Sequence, residues 1–249
     1  MKMETKPTGN TKMQVEVWSD IMCPFCYIGK RNYEAALAEF ADRNNIEIVW
    51  KSFQLDPTIP QQFAEKVNVY QYLADRKGMS LQQSQQMHGR VVGMAKDAGL
   101  EYNFEKAVVA NSFKAHRMIQ MAKTKGHGDK AEERLFYAYF TEGKDFGSTE
   151  VLKELGNDIG LTETEVTEAL TNDAYAIMVK QDIHEADSIG VNGVPFFVFN
   201  RRYAISGAQP PAAFLQTLEK SFAEWRAANP FVSLDVSQGD ACVPGQDCV

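Results

Sequence analysis

Apolar and polar side chains alternate in VEVWS (residues 15–19), the two-residue period of a strand with one covered face. A second such run, IEIVWKSFQL (46–55), is stopped by Asp56, Pro57 and Pro60. Between them Tyr33, Leu37 and Phe40 recur at spacings of four and three, which predicts a helix opening at Cys23 and ending near Asn44 and Asn45. From Pro60 to about Gly190 the period stays helical. Helices are expected over 62–77, 80–97, 104–124, 129–141, 149–159, 163–171 and 173–188, punctuated by Gly99, Gly126, Gly128, Gly143, Gly147 and Gly160. LFYAYF (135–140) is apolar all round, so its helix is expected inside that block. VPFFVF (194–199) then returns to strand chemistry, NRR makes a turn, and YAIS (203–206) pairs back. A last helix starts near Pro210 and Pro211 and buries Phe214, Leu218, Phe222 and Trp225.

Two strands precede the helical block and two follow it. Each is too short to cover its own faces, so one sheet built from both chain ends, with the helices inserted between them, is the simplest packing. The expected class is α/β. Residues 14–60 and 190–228 form a discontinuous sheet domain, 61–189 an inserted all-helical domain, 1–13 a flexible leader and 229–249 a C-terminal arm. A hydrophobic content of 44% over 249 residues supplies a core that folds alone. The formal charge of −7 leaves no basic stripe for a nucleic-acid backbone. MKMETKPTGNTKM has no apolar run that could act as a signal-peptide core, and no stretch of 18 apolar residues follows. The expectation is therefore a cytoplasmic protein with neither membrane nor nucleic acid among its partners.

Four cysteines fall in two close pairs, Cys23/Cys26 and Cys242/Cys248. Scattered cysteines would suit a disulfide framework, whereas close pairs in a reducing compartment suit redox chemistry or metal. A zinc site made of both pairs is disfavoured by the five-residue spacing of the second and the long separation between the two. Cys23 opens a helix, where the dipole and unpaired N–H groups favour a thiolate, and Cys26 lies one turn on, within bonding reach and more covered. Cys23 then reads as the attacking nucleophile and Cys26 as the resolving thiol. Pro24 stiffens the first turn without wasting a donor, and Phe25 offers an apolar surface beside the sulfur. Pro195, taken alone, reads as a trans proline opening a strand.

The remaining chemistry is weaker. Cys242 and Cys248 sit among turn formers in ACVPGQDC and read as an auxiliary redox pair on the arm, or as a passive local pair. His116 shares a helical side with Val109 and Phe113 and reads as a core or rim histidine, with a place near the sulfurs as the sharper alternative. His88, His127 and His184 read as surface. Met22, Met87, Met94, Met118 and Met121 are mostly core, with an adaptable peptide-binding surface as the alternative. AEER (131–134) and TETE (162–165) read as solvated helix faces.

Four stretches together, VEVWSDIMCPFCYIGK, SFQLDP, ANSFKAHRMIQMAK and VNGVPFFVFNRRYAISGAQP, resemble the thioredoxin-fold proteins of the DsbA family, most of all its FrnE-like branch, over about residues 14–226. The resemblance implies a thioredoxin fold with an inserted helical domain and a protein thiol-disulfide oxidoreductase or isomerase. It implies that Pro195 is a cis-proline facing Cys23 and Cys26, and that the Val194 backbone pairs with an extended substrate. No cofactor is implied. The implied partners are cysteine-containing proteins and a thiol reductant or oxidant, glutathione among them. The rival readings are a glutathione-dependent isomerase or transferase acting on a small aromatic molecule, and a holdase using an apolar groove.

Overall fold

The computed structural model describes residues 12–63 and 65–230. Strand β1 (Met13–Ser19) is the centre of a four-stranded sheet, because it is the strand both halves of the chain can reach. Helix α1 (Pro24–Glu39) carries the chain over to β2 (Ile46–Ser52), which lies parallel to β1 with Val15 opposite Ile48 and Val17 opposite Trp50. On the other side β3 (Phe196–Phe199) runs antiparallel to β1 with Phe197 opposite Val17, and β4 (Tyr203–Ser206) closes the hairpin. The strand order is β2-β1-β3-β4.

A central strand buries both faces, and β1 does so. Met13, Val15 and Val17 pack with Tyr33, Phe40, Phe197 and Phe199 under α1 and the final helix, α9 (Pro211–Ala228). The rings interlock: Tyr33 lies 5.7 Å from Phe197 and 6.0 Å from Phe214, and Phe40 meets Phe222 edge-on at 5.3 Å. Each such buried side chain contributes roughly 1.5–3 kcal/mol. Met13, expected in the leader, is thus part of the core, its sulfur accepting from the Ser221 hydroxyl at 3.5 Å. Trp18 points to the opposite face and packs with Ala186, Val191 and Val198.

Among the described residues, seven helices fill the interval between β2 and β3: α2 (Val69–Lys77), α3 (Leu81–Asp97), α4 (Phe113–Thr124), α5 (Gly128–Tyr137), α6 (Thr149–Asp158), α7 (Glu163–Thr171) and α8 (Asp173–Ser188). Several expected boundaries shift. Helix α1 stops at Glu39, because Phe40 turns extended to reach Phe222, and Arg43–Asn45 forms only a 3-10 turn. Residues 62, 63 and 65–68 are irregular, and Asn68 caps α2 by accepting from Tyr70 N. Residues 104–112 are not helical either: their backbone is claimed by other segments, Val109 N donating to Val67 O at 3.0 Å beside a bridge between Asn68 and Val108. In LFYAYF, Tyr137 is exposed while the other five side chains are buried, and a π-turn (Ala138–Glu142) ends the element.

Two polar ties join the inserted helices to the sheet layer. Asp182 of α8, buried, accepts from Ser52 N at 3.0 Å and from the Gln120 amide at 2.6 Å, while its own carbonyl takes the Trp18 indole N–H at 2.9 Å. Lys30 of α1, also buried, faces Glu34, Asp129 at 3.4 Å and Glu133 at 3.1 Å, and Glu133 also accepts from Tyr27 and Arg31. AEER is therefore no plain solvated face, since Glu132 is fully covered and Glu133 clamps α1.

Asp182→Ala leaves the buried Ser52 N–H without its acceptor and takes from the Gln120 amide one of its two acceptors, Ser52 Oγ remaining, so urea denaturation should show a loss of about 3 kcal/mol, against about 1 kcal/mol for Asp182→Asn. The two neighbouring acids should act on stability in opposite directions. Burial raises the Glu133 carboxyl, but the Arg31 and Tyr27 hydrogen bonds outweigh it and hold it at about 2 against an ordinary 4.5. Its contribution is present above 4.5 and lost as pH falls towards 2. Burial pushes Glu132 up to about 7, so the folded state holds a proton the unfolded state has released, and stability falls as pH rises from 4.5 to 7. In Tm measured against pH, Glu133→Gln should flatten the acid limb and Glu132→Gln the limb between 4.5 and 7.

Candidate active site

The turn after β1 places Cys23 as the N-cap of α1, with extended backbone (φ −84°, ψ 110°) and Pro24 as the first helical residue. Asp20 builds this turn. Its carbonyl accepts from Cys23 N at 3.0 Å, and its buried carboxylate accepts from Leu55 N at 2.7 Å and Met22 N at 3.4 Å. The Cys23 carbonyl in turn accepts from Cys26 N at 3.0 Å, which fixes the second sulfur one turn behind the first. From the inserted helical region, the Tyr102 hydroxyl donates to the Pro24 carbonyl at 2.7 Å.

The Val194–Pro195 peptide is cis, as the resemblance implied, and the Cys23 thiol donates to the Val194 carbonyl at 3.4 Å. Gly29 permits this approach: a Cβ there would lie 2.9 Å from Pro195 Cγ. Cys23, Pro24, Phe25 and Val194 all line one cleft of about 580 Å³, with Pro195 buried next to Val194. The cleft wall is mainly apolar, with Leu55 and Met87 exposed at its edge and Arg76 and Lys77 as its cations.

Both thiols are free, and both residues are buried, so exposure alone does not separate them. Access and electrostatics do. Cys23 borders the cleft, whereas Cys26 is not among the residues that line it. Burial pushes the Cys26 thiol well up, and its neighbour Cys23 pushes it further; the Asp20 backbone and the Ser19 hydroxyl pull the other way. That hydroxyl is buried and has no other partner among the described residues.

Three residues near the cleft, Asp20, Tyr102 and His88, carry no readable signal in sequence or sit elsewhere than expected. Asp20 is an ordinary acid in sequence. Tyr102 lies in an irregular segment expected next to a helix. His88, expected at the surface, is half-buried with its ring 4.8 Å from Tyr70 and 4.6 Å from Phe104, and Nδ1 lies 2.8 Å from the Ser84 carbonyl. Burial lowers its pKa, so it faces the cleft neutral near pH 7. His116 is fully buried behind the Asp20 turn and does not line the cleft. Met118 and Met121 are core, Met87 and Met94 are exposed, and Met22 lines the cleft. His127 is half-buried and His184 exposed. Cys242 and Cys248 lie outside the described residues.

Comparison with known proteins agrees with this geometry. The DSBA-like thioredoxin domain family matches residues 14–219. The structure of the probable DsbA oxidoreductase SCO1869 from Streptomyces coelicolor is 34% identical with a TM-score of 0.79, over 94% of this chain and 97% of that one. The cytosolic disulfide reductase DsbM from Pseudomonas aeruginosa, solved with GSH, shares the fold at 18% identity and a TM-score of 0.60, over 84% of this chain and 99% of its own. The Bacillus subtilis protein YwbO, itself uncharacterized, is 26% identical over 189 residues, 75% of this chain and 86% of that protein. A CPFC pair at a helix N-terminus, a cis-proline strand against it and a helical insertion above both are thus accounted for together: the chain belongs to the DSBA-like thioredoxin family of thiol-disulfide oxidoreductases.

Proposed function

We propose that the protein exchanges disulfides with cysteine-containing polypeptides through Cys23 and Cys26, as a reductase or isomerase of the FrnE-like kind. The observation that carries this reading is the Cys23 sulfur at the α1 N-cap, bordering the cleft and 3.4 Å from the carbonyl before the cis-proline. A thiolate at a helix N-terminus is favoured by the dipole and by free N–H groups. Cys23 attacks a substrate disulfide, one substrate sulfur leaves as a thiolate, and a mixed disulfide forms on Cys23. Cys26 then attacks Cys23, forming the intramolecular disulfide and releasing the second substrate sulfur. Val194 offers its backbone to an extended substrate segment beside Pro195, and Phe25, exposed at the mouth, gives an apolar contact.

A thiol pool has to return the pair to the dithiol. Glutathione suits that role, and the DsbM structure with GSH supports it. The setting we assign is cytoplasmic; among the described residues no helix is long and apolar enough to cross a membrane, and DsbM is a cytosolic enzyme. Cys242 and Cys248 serve in this reading as an auxiliary pair that exchanges with the first. One observation favours the isomerase or transferase alternative: an apolar cleft of about 580 Å³ is the size that holds a small molecule.

In dithiothreitol-driven insulin reduction followed by turbidity, wild type should shorten the lag, Cys23→Ser should return it to the uncatalysed value, and Cys26→Ser should accumulate a mixed disulfide on Cys23. Activity of Cys26→Ser on an aromatic substrate with glutathione would move the assignment to the isomerase, and client binding unchanged in the double serine variant would move it to a holdase.

A further inference from the structure

Tyr102 lies in the irregular stretch between α3 and α4, yet it is buried and its hydroxyl enters the redox motif, donating to the Pro24 carbonyl at 2.7 Å. Its ring is held by packing: it stacks on Phe140 at 4.5 Å and meets Phe104 edge-on at 5.5 Å. Burial pushes its pKa well up, so the group stays a phenol and a donor. A buried tyrosine hydroxyl needs a partner, and any carbonyl would satisfy it. The choice of this carbonyl has a chemical consequence. Pro24 opens α1, and in a helix its carbonyl takes the N–H four residues on, that of Ile28, so Tyr102 occupies the second lone pair.

The same peptide group ends in the Phe25 N–H. Among the first residues of α1, Pro24 has no amide hydrogen and Cys26 N donates to the Cys23 carbonyl at 3.0 Å. Phe25 N has no acceptor among the described residues. Phe25 is the second residue of the helix and Cys23 its cap, and the N–H at that position is one that a cap side chain accepts from. Cys23 makes no such bond as a thiol, because its proton goes to the Val194 carbonyl at 3.4 Å. A thiolate can only accept, and the donor left unclaimed on its own turn is Phe25 N–H.

We propose that Tyr102 is a positioning residue for the nucleophile: its bond to the Pro24 carbonyl polarises the Pro24–Phe25 peptide, whose N–H then holds the Cys23 thiolate. The inference rests on the exchange reaction proposed above, in which Cys23 attacks. The carbonyl and N–H of one peptide share a delocalised π system, so a donor at the oxygen leaves the N–H more positive and a stronger donor. On ionisation the Cys23 S–H bond breaks, its proton goes to solvent, and the sulfur exchanges the Val194 carbonyl for the Phe25 N–H. Tyr102 neither gives nor takes a proton. The inserted helical region thereby raises the thiolate fraction of the attacking sulfur through one intervening peptide.

The full chain carrying Cys26→Ser/Cys242→Ser/Cys248→Ser keeps Cys23 as its one thiol. Its alkylation by iodoacetamide is followed against pH, and the midpoint of the rate profile reports ionisation of Cys23. In Tyr102→Phe the midpoint should rise by about half a pH unit or more, a roughly threefold weaker ionisation. With Tyr102→3-fluorotyrosine, a stronger donor of nearly the same size, it should fall below that of the parent. Tyr27→Phe, which removes a hydroxyl of α1 that bonds Glu133 and not the motif, should leave it in place. An unmoved midpoint in Tyr102→Phe overturns the inference, and so does an equally large shift in Tyr27→Phe. Shifts of the same sign in the phenylalanine and fluorotyrosine proteins also overturn it, because a loosened turn does not follow donor strength. If Tyr102→Phe does not fold, the fluorotyrosine protein decides alone, and a midpoint that stays or rises sinks the idea. Insulin left unreduced by wild type while the midpoints move as stated overturns the exchange reaction but not the polarised peptide. Insulin reduced by wild type with unmoved midpoints overturns the polarised peptide alone.

Discussion

An ammonium group buried inside a protein has to find carboxylates, and Lys30 can find them in only one arrangement of the chain. It sits on the helix that carries Cys23 and Cys26, almost wholly covered, and its partners are Glu34 on the same helix with Asp129 and Glu133 on α5. These charges overcome the burial that would otherwise deprotonate it. Asp129 also accepts from the Trp50 indole at 3.0 Å, so the cluster holds β2, α1 and the inserted helices at once. A shift of α1 by one turn would strand the charge. The position of the two sulfurs is thus fixed by an electrostatic constraint seven and four residues further along the helix.

Given that placement, the two cysteines differ by surroundings rather than by sequence. Cys23 ends up at the cap, against the cleft and the Val194 carbonyl. Cys26 ends up buried in the cluster that α1 forms with the inserted helices, where desolvation keeps it neutral. An attacking thiol needs access and ionisation, while a resolving thiol needs only reach and a well-timed loss of its proton. The fold supplies access at Cys23 through the cleft beside the helix terminus, and reach at Cys26 through its N–H bond to the Cys23 carbonyl.

What sequence reveals here follows the range of the forces involved. The strands, α1 and α9 were legible because one apolar face repeats at a fixed period: Tyr33 and Phe40, or Phe214, Leu218 and Phe222. The CPFC pair and the proline of GVPFF were legible as local motifs at an element boundary. Residues 104–112 were not, because Val109 N and Asn103 N bond to segments far away in the chain, at 3.0 and 2.7 Å, and that pairing overrides a helical pattern. Glu132 was read as solvated since AEER looks like any exposed turn of helix; its burial depends on α4 and α1 closing over it. His88 was missed for the same reason, its environment being two rings 18 and 16 residues away.

The inserted helices therefore do more than roof the cleft. Tyr102 holds the carbonyl of Pro24 inside the motif, and His116 brings a titratable ring to Asp20 immediately upstream of it. Gln120 reaches Ser52 at the end of β2 while sharing Asp182 with the Ser52 amide. A minimal sheet with one helix on the motif side would leave those groups to water, which would solvate Asp20 and lower the Cys26 thiol towards its ordinary value. Insertion changes the chemistry by drying it. Because every one of these contacts comes from the interval between β2 and β3, substitutions far from CPFC in sequence can retune the pair without touching the sheet or the cysteines.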